Sequence, residues 1–139
     1  MSAVKEWFYL YDIIFSFIKD SYGKETLEQY LQYLADAANS DISDRFRNGG
    51  TEAAAGYYRC NFEKDGAAVE MRREGETVTL EIGQCPAFSY MKGKGVVPAS
   101  DYCGCCRALN SRICLNAGIS LKITPEEGGG KCLWQFKRL

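Results

Sequence analysis

The spacing of apolar positions divides the chain into a helical first half, about 1–65, and a cysteine-rich second half, 66–139. From about Val4 to Ser21 aromatic and aliphatic residues fall nearly all round a helix, with Lys5, Glu6, Asp12, Lys19 and Asp20 at its ends and edge. A helix of that kind is expected to be buried on most sides, in the core or against a second subunit. From Lys24 to Ala38, Leu27, Tyr30, Leu31, Leu34, Ala35 and Ala38 repeat as a single helical stripe. Asn39 to Gly50 is rich in turn residues and reads as a loop with a short helical turn around Ile42 to Phe46. A third helix is then predicted from Thr51 through Phe62.

The period changes to two at Ala67. Val69 and Met71, then Val78, Leu80 and Ile82, alternate with polar residues around Glu74-Gly75-Glu76, which predicts a β-hairpin. Ile119, Leu121 and Ile123 alternate again, as do Cys132, Trp134 and Phe136, with Gly128-Gly129-Gly130 as the turn between them. Between the hairpins, Ser100 is placed to cap a helix over Asp101 to Ala117. The predicted fold class is α+β: N-terminal helices followed by a hairpin–helix–hairpin unit forming a mostly antiparallel four-stranded sheet.

At 139 residues the length suits one domain, and 46% hydrophobic with 25% charged residues is ordinary for a globular chain. The net charge of -1 gives no basic stripe, so nucleic acid is not expected as a partner. Trp7 to Ile18 is apolar but contains Asp12 and falls short of the ~20 residues a bilayer requires, so no membrane association is expected. The N-terminal residues lack the pattern of a secretory signal, which predicts a cytoplasmic setting. There, seven cysteines, an odd number, favour metal or redox chemistry over a disulfide framework.

Cys103 and Cys106 form a C-x2-C pair that places both sulfurs on one face near a helix start. Cys85 follows the second strand in Gln84-Cys85-Pro86, and Cys132 begins the last strand on the face of Trp134 and Phe136. These four make the predicted metal set, with Cys105 as a substitute for either member of the pair. Such a set suits zinc or an iron–sulfur cluster, and the spacing leaves the two undecided. Cys60 and Cys114 are expected to be small buried hydrophobes. A competing use of the 103–106 pair is thiol–disulfide exchange. Phe88, Tyr90, Tyr102 and Trp134 are candidates to line a ligand pocket beside the thiols, along with Tyr57 and Tyr58.

Phe17-Ile18-Lys19-Asp20-Ser21-Tyr22-Gly23, Cys85-Pro86, the cysteine near 103 and Gly129-Gly130-Lys131-Cys132-Leu133-Trp134-Gln135-Phe136 together resemble the L-2-amino-thiazoline-4-carboxylic acid hydrolase-like group. More distantly, the order of elements is similar to four-vinyl-reductase-like ligand-binding domains, in which cysteines near the same places hold zinc. The first resemblance implies a hydrolase acting on a C–N bond of a small cyclic amidine. The chain has no histidine, so proton exchange near neutrality would fall to a thiolate, with Cys85 and Cys103 the candidates, to a carboxylate such as Asp101, or to metal-bound water. Members of the group often have aspartate a few residues after the cysteine, whereas Gly104-Cys105-Cys106 follows Cys103 here, which shifts the segment toward metal ligation. The other class open to this chain is a non-enzymatic module that binds a small-molecule ligand or senses redox state. The first helix, 4–21, leaves room for a homodimer.

Overall fold

The computed structural model describes residues 5–98, 101–126 and 130–139. Its elements are α1 (Glu6–Tyr22), α2 (Lys24–Tyr33), a π-helical turn Leu34–Ala38, α3 (Ser40–Lys64), β1 (Val69–Glu74), β2 (Thr77–Ile82), α4 (Pro86–Gly93), α5 (Tyr102–Leu115), β3 (Ile119–Pro125) and β4 (Cys132–Arg138). The strands form one antiparallel sheet in the order β1-β2-β4-β3. The chain is thus α+β, with the helices of the first half followed by the sheet. The predicted cap Ser100 and the turn glycines Gly128 and Gly129 lie outside the described residues.

Both hairpins follow from period-two patterning, because alternate side chains leave opposite faces of a strand. Val78, Leu80 and Ile82 of β2, with Trp134 and Phe136 of β4 and Ile119, Leu121 and Ile123 of β3, point to one face and are buried. The other face is polar, and Arg72 reaches across it to Glu74 at 3.2 Å and Glu81 at 3.4 Å. Gly75, at φ 60°, supplies the left-handed residue that the tight β1–β2 turn requires.

α3 and α5 cover the apolar face of the sheet, and the main core lies between them: Phe46, Ala54, Ala55 and Tyr58 of α3 meet Ile113 and Cys114 of α5 over the strands. The stretch from Asn39 to Gly50, expected as a loop with one helical turn, is helical from Ser40. Its turn-forming residues are overridden by tertiary contacts: Phe46 is fully buried, and buried Ser43 donates its hydroxyl to the Ile113 carbonyl at 2.9 Å. The break comes later, at Gly50, whose φ of 76° kinks α3.

α1 and α2 form an outer layer on α5, sealed by Phe15, Leu27, Leu31 and Cys105. The stripe on α2 runs true through Ala35, but Ala38 is exposed. The cause is the π turn, where the Asn39 N–H donates to the Leu34 carbonyl at 3.0 Å and shifts the phase of the helix. For α1, burial on most sides within this chain's own core is not what the structure shows. Its buried residues are Asp12 and Phe15, while Trp7, Leu10, Ile13 and Phe17 remain exposed, so this chain covers one side only. Among the described residues, no helix is long and apolar enough to cross a membrane.

On the surface, the Arg112 guanidinium of α5 grips Asp36 with two bonds of 2.9 and 2.8 Å, and the Asn116 amide donates to the same carboxylate at 2.7 Å. The Arg112 bonds, then that from Asn116, hold the Asp36 carboxyl at about 2, below its ordinary 3.8. A carboxyl depressed on folding stabilises the fold above its unfolded pKa and loses that contribution as it protonates. Stability is therefore expected to fall as pH drops from 3.8 toward about 2. In acid titrations followed by circular dichroism, Asp36→Asn should flatten the curve over that window; an unchanged slope would contradict the assignment.

Candidate metal centre

The end of β2 and the start of β4 lie side by side, with Ile82 opposite Cys132. The chain leaves β2 through Gly83 and Gln84 and turns into α4 at Cys85, whose N–H donates to the Gly130 carbonyl at 3.2 Å. α4 was not expected from the sequence, where Cys85-Pro86 reads as a strand terminator. Proline is equally suited to the first turn of a helix, and Pro86 occupies that place. Cys85 is the residue before it, in extended backbone. α5 begins at Tyr102, so Cys103 and Cys106 stand on its first turns.

These segments enclose one apolar cavity, and Cys85, Cys103, Cys106 and Cys132 all line it. Phe88, Tyr102 and Trp134 share its wall, with Ile82, Ile123 and Phe62. Tyr90 stands apart: it lines a groove with Lys5 and Asp65 and packs against Phe8, ring centroids 6.5 Å apart. The space open to water-sized particles is about 50 Å³. A single water needs roughly 10–15 Å³ on that measure, so the cavity has room for very few atoms.

The four sulfurs sense one another electrostatically. A charge on Cys85, Cys132 or Cys103 would raise the pKa of Cys106, charges on Cys85 or Cys103 would raise that of Cys132, and one on Cys85 would raise that of Cys103. Burial is the larger cause in every case. It pushes Cys106 up to about 12 and Cys132 up to about 11, and raises Cys85 and Cys103 as well. The backbone N–H groups of Phe88 and Ala87 pull Cys85 the other way without winning. Trp134 Nε1 donates to Cys132 Sγ at 3.2 Å, and Asn110 Nδ2 reaches Cys106 Sγ at 3.5 Å. On their own, these groups are neutral thiols near pH 7. Among the described residues, no three Cys, Asp or Glu side chains stand where they could hold a metal ion as placed.

The remaining thiols separate cleanly. Cys105 faces away from the other two on α5 and is buried with Phe15, Leu27 and Leu31, so it does not line the cavity as a substitute ligand. Cys114 is fully buried in the main core, in line with its expected role as a small hydrophobe. Cys60 departs from that expectation: it is exposed on the outer side of α3. The Asp101 carboxylate is engaged by Lys19 at 3.1 Å and does not line the cavity.

No protein-family model matches the chain, and no curated protein matches it.

Proposed function

We propose that Cys85, Cys103, Cys106 and Cys132 hold a single zinc ion that ties the β2–α4 turn, the start of α5 and the start of β4 together. The observation that carries this reading is the convergence of four thiols from separate stretches of chain on one apolar cavity. The donor chemistry fits, since four soft sulfurs are a preferred set for zinc and for iron–sulfur clusters. The limited room favours one ion over a cluster. A divalent cation also reverses the electrostatics: mutual repulsion and burial oppose ionisation of the bare thiols, and a bound cation compensates both and releases their protons. Ligation requires the sulfurs to draw together from where they stand.

A four-thiolate site has no open position for water or substrate, so the role is structural, in a module without catalysis of its own. What supports this over a hydrolase or a thiol–disulfide exchanger is the direction of the thiol pKa shifts. A nucleophilic cysteine needs a lowered pKa, and Cys85, Cys103 and Cys106 are all raised. The exposed row Trp7, Leu10, Ile13 and Phe17 supports a second copy of the chain as the partner of α1.

Anaerobic purification followed by elemental analysis and a visible spectrum tests the assignment. One equivalent of zinc in a colourless protein is expected. A brown protein with iron and sulfide would replace zinc by a cluster on the same thiols, and a chain that retains neither would overturn the proposal.

A further inference from the structure

A second cavity opens between α1 and α3. α1 rests on α2, α4 and α5 and leaves a gap toward α3. The space there is about 350 Å³, at the low end of the roughly 300–1,000 Å³ that small-molecule sites occupy. Its walls are aromatic, with Trp7, Phe8, Tyr11 and Phe15 on one side and Tyr58 and Phe62 on the other.

Two buried polar atoms lack an oxygen or nitrogen partner in the protein. Among the described residues, the buried side-chain oxygens without a hydrogen-bond partner are Tyr58 Oη and Asp65 Oδ1, and both residues line this cavity. Native proteins rarely leave such atoms unsatisfied. The neighbour of the Tyr58 hydroxyl is the Cys114 thiol, a weak acceptor at best. Asp65 stands between this cavity and the adjoining groove and lines both; Lys5, whose charge acts on its carboxylate, lines the groove alone. Asp65 is the one charged side chain among the described lining residues, so the interior suits a cation and repels an anion. Tyr58 and Asp65 are two helical turns apart on α3 and its C-terminal cap, about 10 Å along the axis.

We propose that this cavity binds a small aromatic amine, its ring held between the aromatic faces of α1 and α3, its ammonium group donating to Asp65 Oδ1 and an oxygen at its far end accepting from the Tyr58 hydroxyl. This cavity adjoins that of the four thiols and shares Cys85, Cys106, Phe62, Tyr102 and Trp134 with it, but Asp65 and Tyr58 line only the aromatic one, so the two end contacts of the amine are distinct from the metal ligands. A ring of this kind replaces water against apolar walls, while the two end groups fix its direction.

Tyramine, neutral 4-ethylphenol and anionic 3-(4-hydroxyphenyl)propionate carry the same ring and differ in charge, and amide NMR titration of the full chain reads their binding. Tyramine should shift α1 and α3 signals and bind at least tenfold tighter than 4-ethylphenol, with the acid weakest. Asp65→Asn should remove the advantage of tyramine, and Tyr58→Phe should weaken tyramine and 4-ethylphenol alike several-fold. The proposal is overturned if the acid binds as well as the amine, if the advantage survives Asp65→Asn, or if no probe binds. The three-probe comparison on the unaltered chain decides the question even where a variant folds poorly.

Discussion

With zinc on the four thiols as proposed, chelator treatment of the purified chain should lower its thermal midpoint by about 10 °C or more. A ligand present at a thousandfold excess over its dissociation constant stabilises the fold by about 4 kcal/mol, and each kcal/mol moves the midpoint by roughly 2–8 °C in domains that bracket this size. Cys106→Ser should reproduce the effect without chelator, because Cys106 interacts with the other three sulfurs of the set. Cys60→Ser is the matched control, since Cys60 is exposed and does not line the cavity. Differential scanning calorimetry with and without chelator measures both. A chelated wild-type chain that melts with the untreated protein would contradict a structural ion.

The second large effect concerns the sheet. Phe136 is fully buried at the centre of β4, stacked on Tyr58 at a centroid distance of 5.9 Å and beside Trp134 at 6.4 Å. Phe136→Ala removes a ring from a strand with hydrogen-bonded neighbours on both sides, where the surroundings have little freedom to close the gap. Such truncations cost about 3–5 kcal/mol, a large share of the 5–15 kcal/mol by which domains are commonly stable. Urea unfolding should show a lower midpoint with an unchanged slope. Phe136 does not line the thiol cavity, so the folded variant should still take up metal, which separates loss of fold from loss of site. A loss below about 1 kcal/mol would contradict the placement of Phe136 in the core.

The parts of this fold that could be read from sequence are those where local pattern and tertiary environment agree. Val78, Leu80 and Ile82 alternate because one face of β2 is buried, and that is visible without a structure. Helix α3 was hidden between Asn39 and Gly50 because its residues favour turns individually and are held helical by contacts with α5 distant in sequence. The outward face of α1 could not be read either: an all-round apolar helix signals that something covers it, without saying that this chain buries Asp12 and leaves Phe17 in solvent. The π turn after α2 leaves no mark in the spacing, so the exposure of Ala38 came as a departure from an otherwise regular stripe.

At the site, the helical period gave the shared face of Cys103 and Cys106, and the strand ends gave the approach of Cys85 to Cys132. The same helical geometry turns Cys105 away, and a run of three sulfurs within four positions conceals that until the helix start is fixed. Nothing in the local pattern marks α4, and that helix carries Phe88 and Tyr90 to different faces, which takes Tyr90 away from the thiol cavity. The cavity between α1 and α3 arises from how the helices pack, so only its aromatic residues, and not their arrangement, were accessible beforehand.

Titration of the reduced, metal-free chain with cobalt(II), read by visible absorption, addresses the four-thiol site most directly, since tetrahedral cobalt bound by sulfur is intensely coloured and bare cobalt is not. One equivalent should saturate the signal, which should vanish on replacement of Cys85, Cys103, Cys106 or Cys132 by serine and survive replacement of Cys60. Absence of the colour, or its persistence when all four are replaced, would contradict the account.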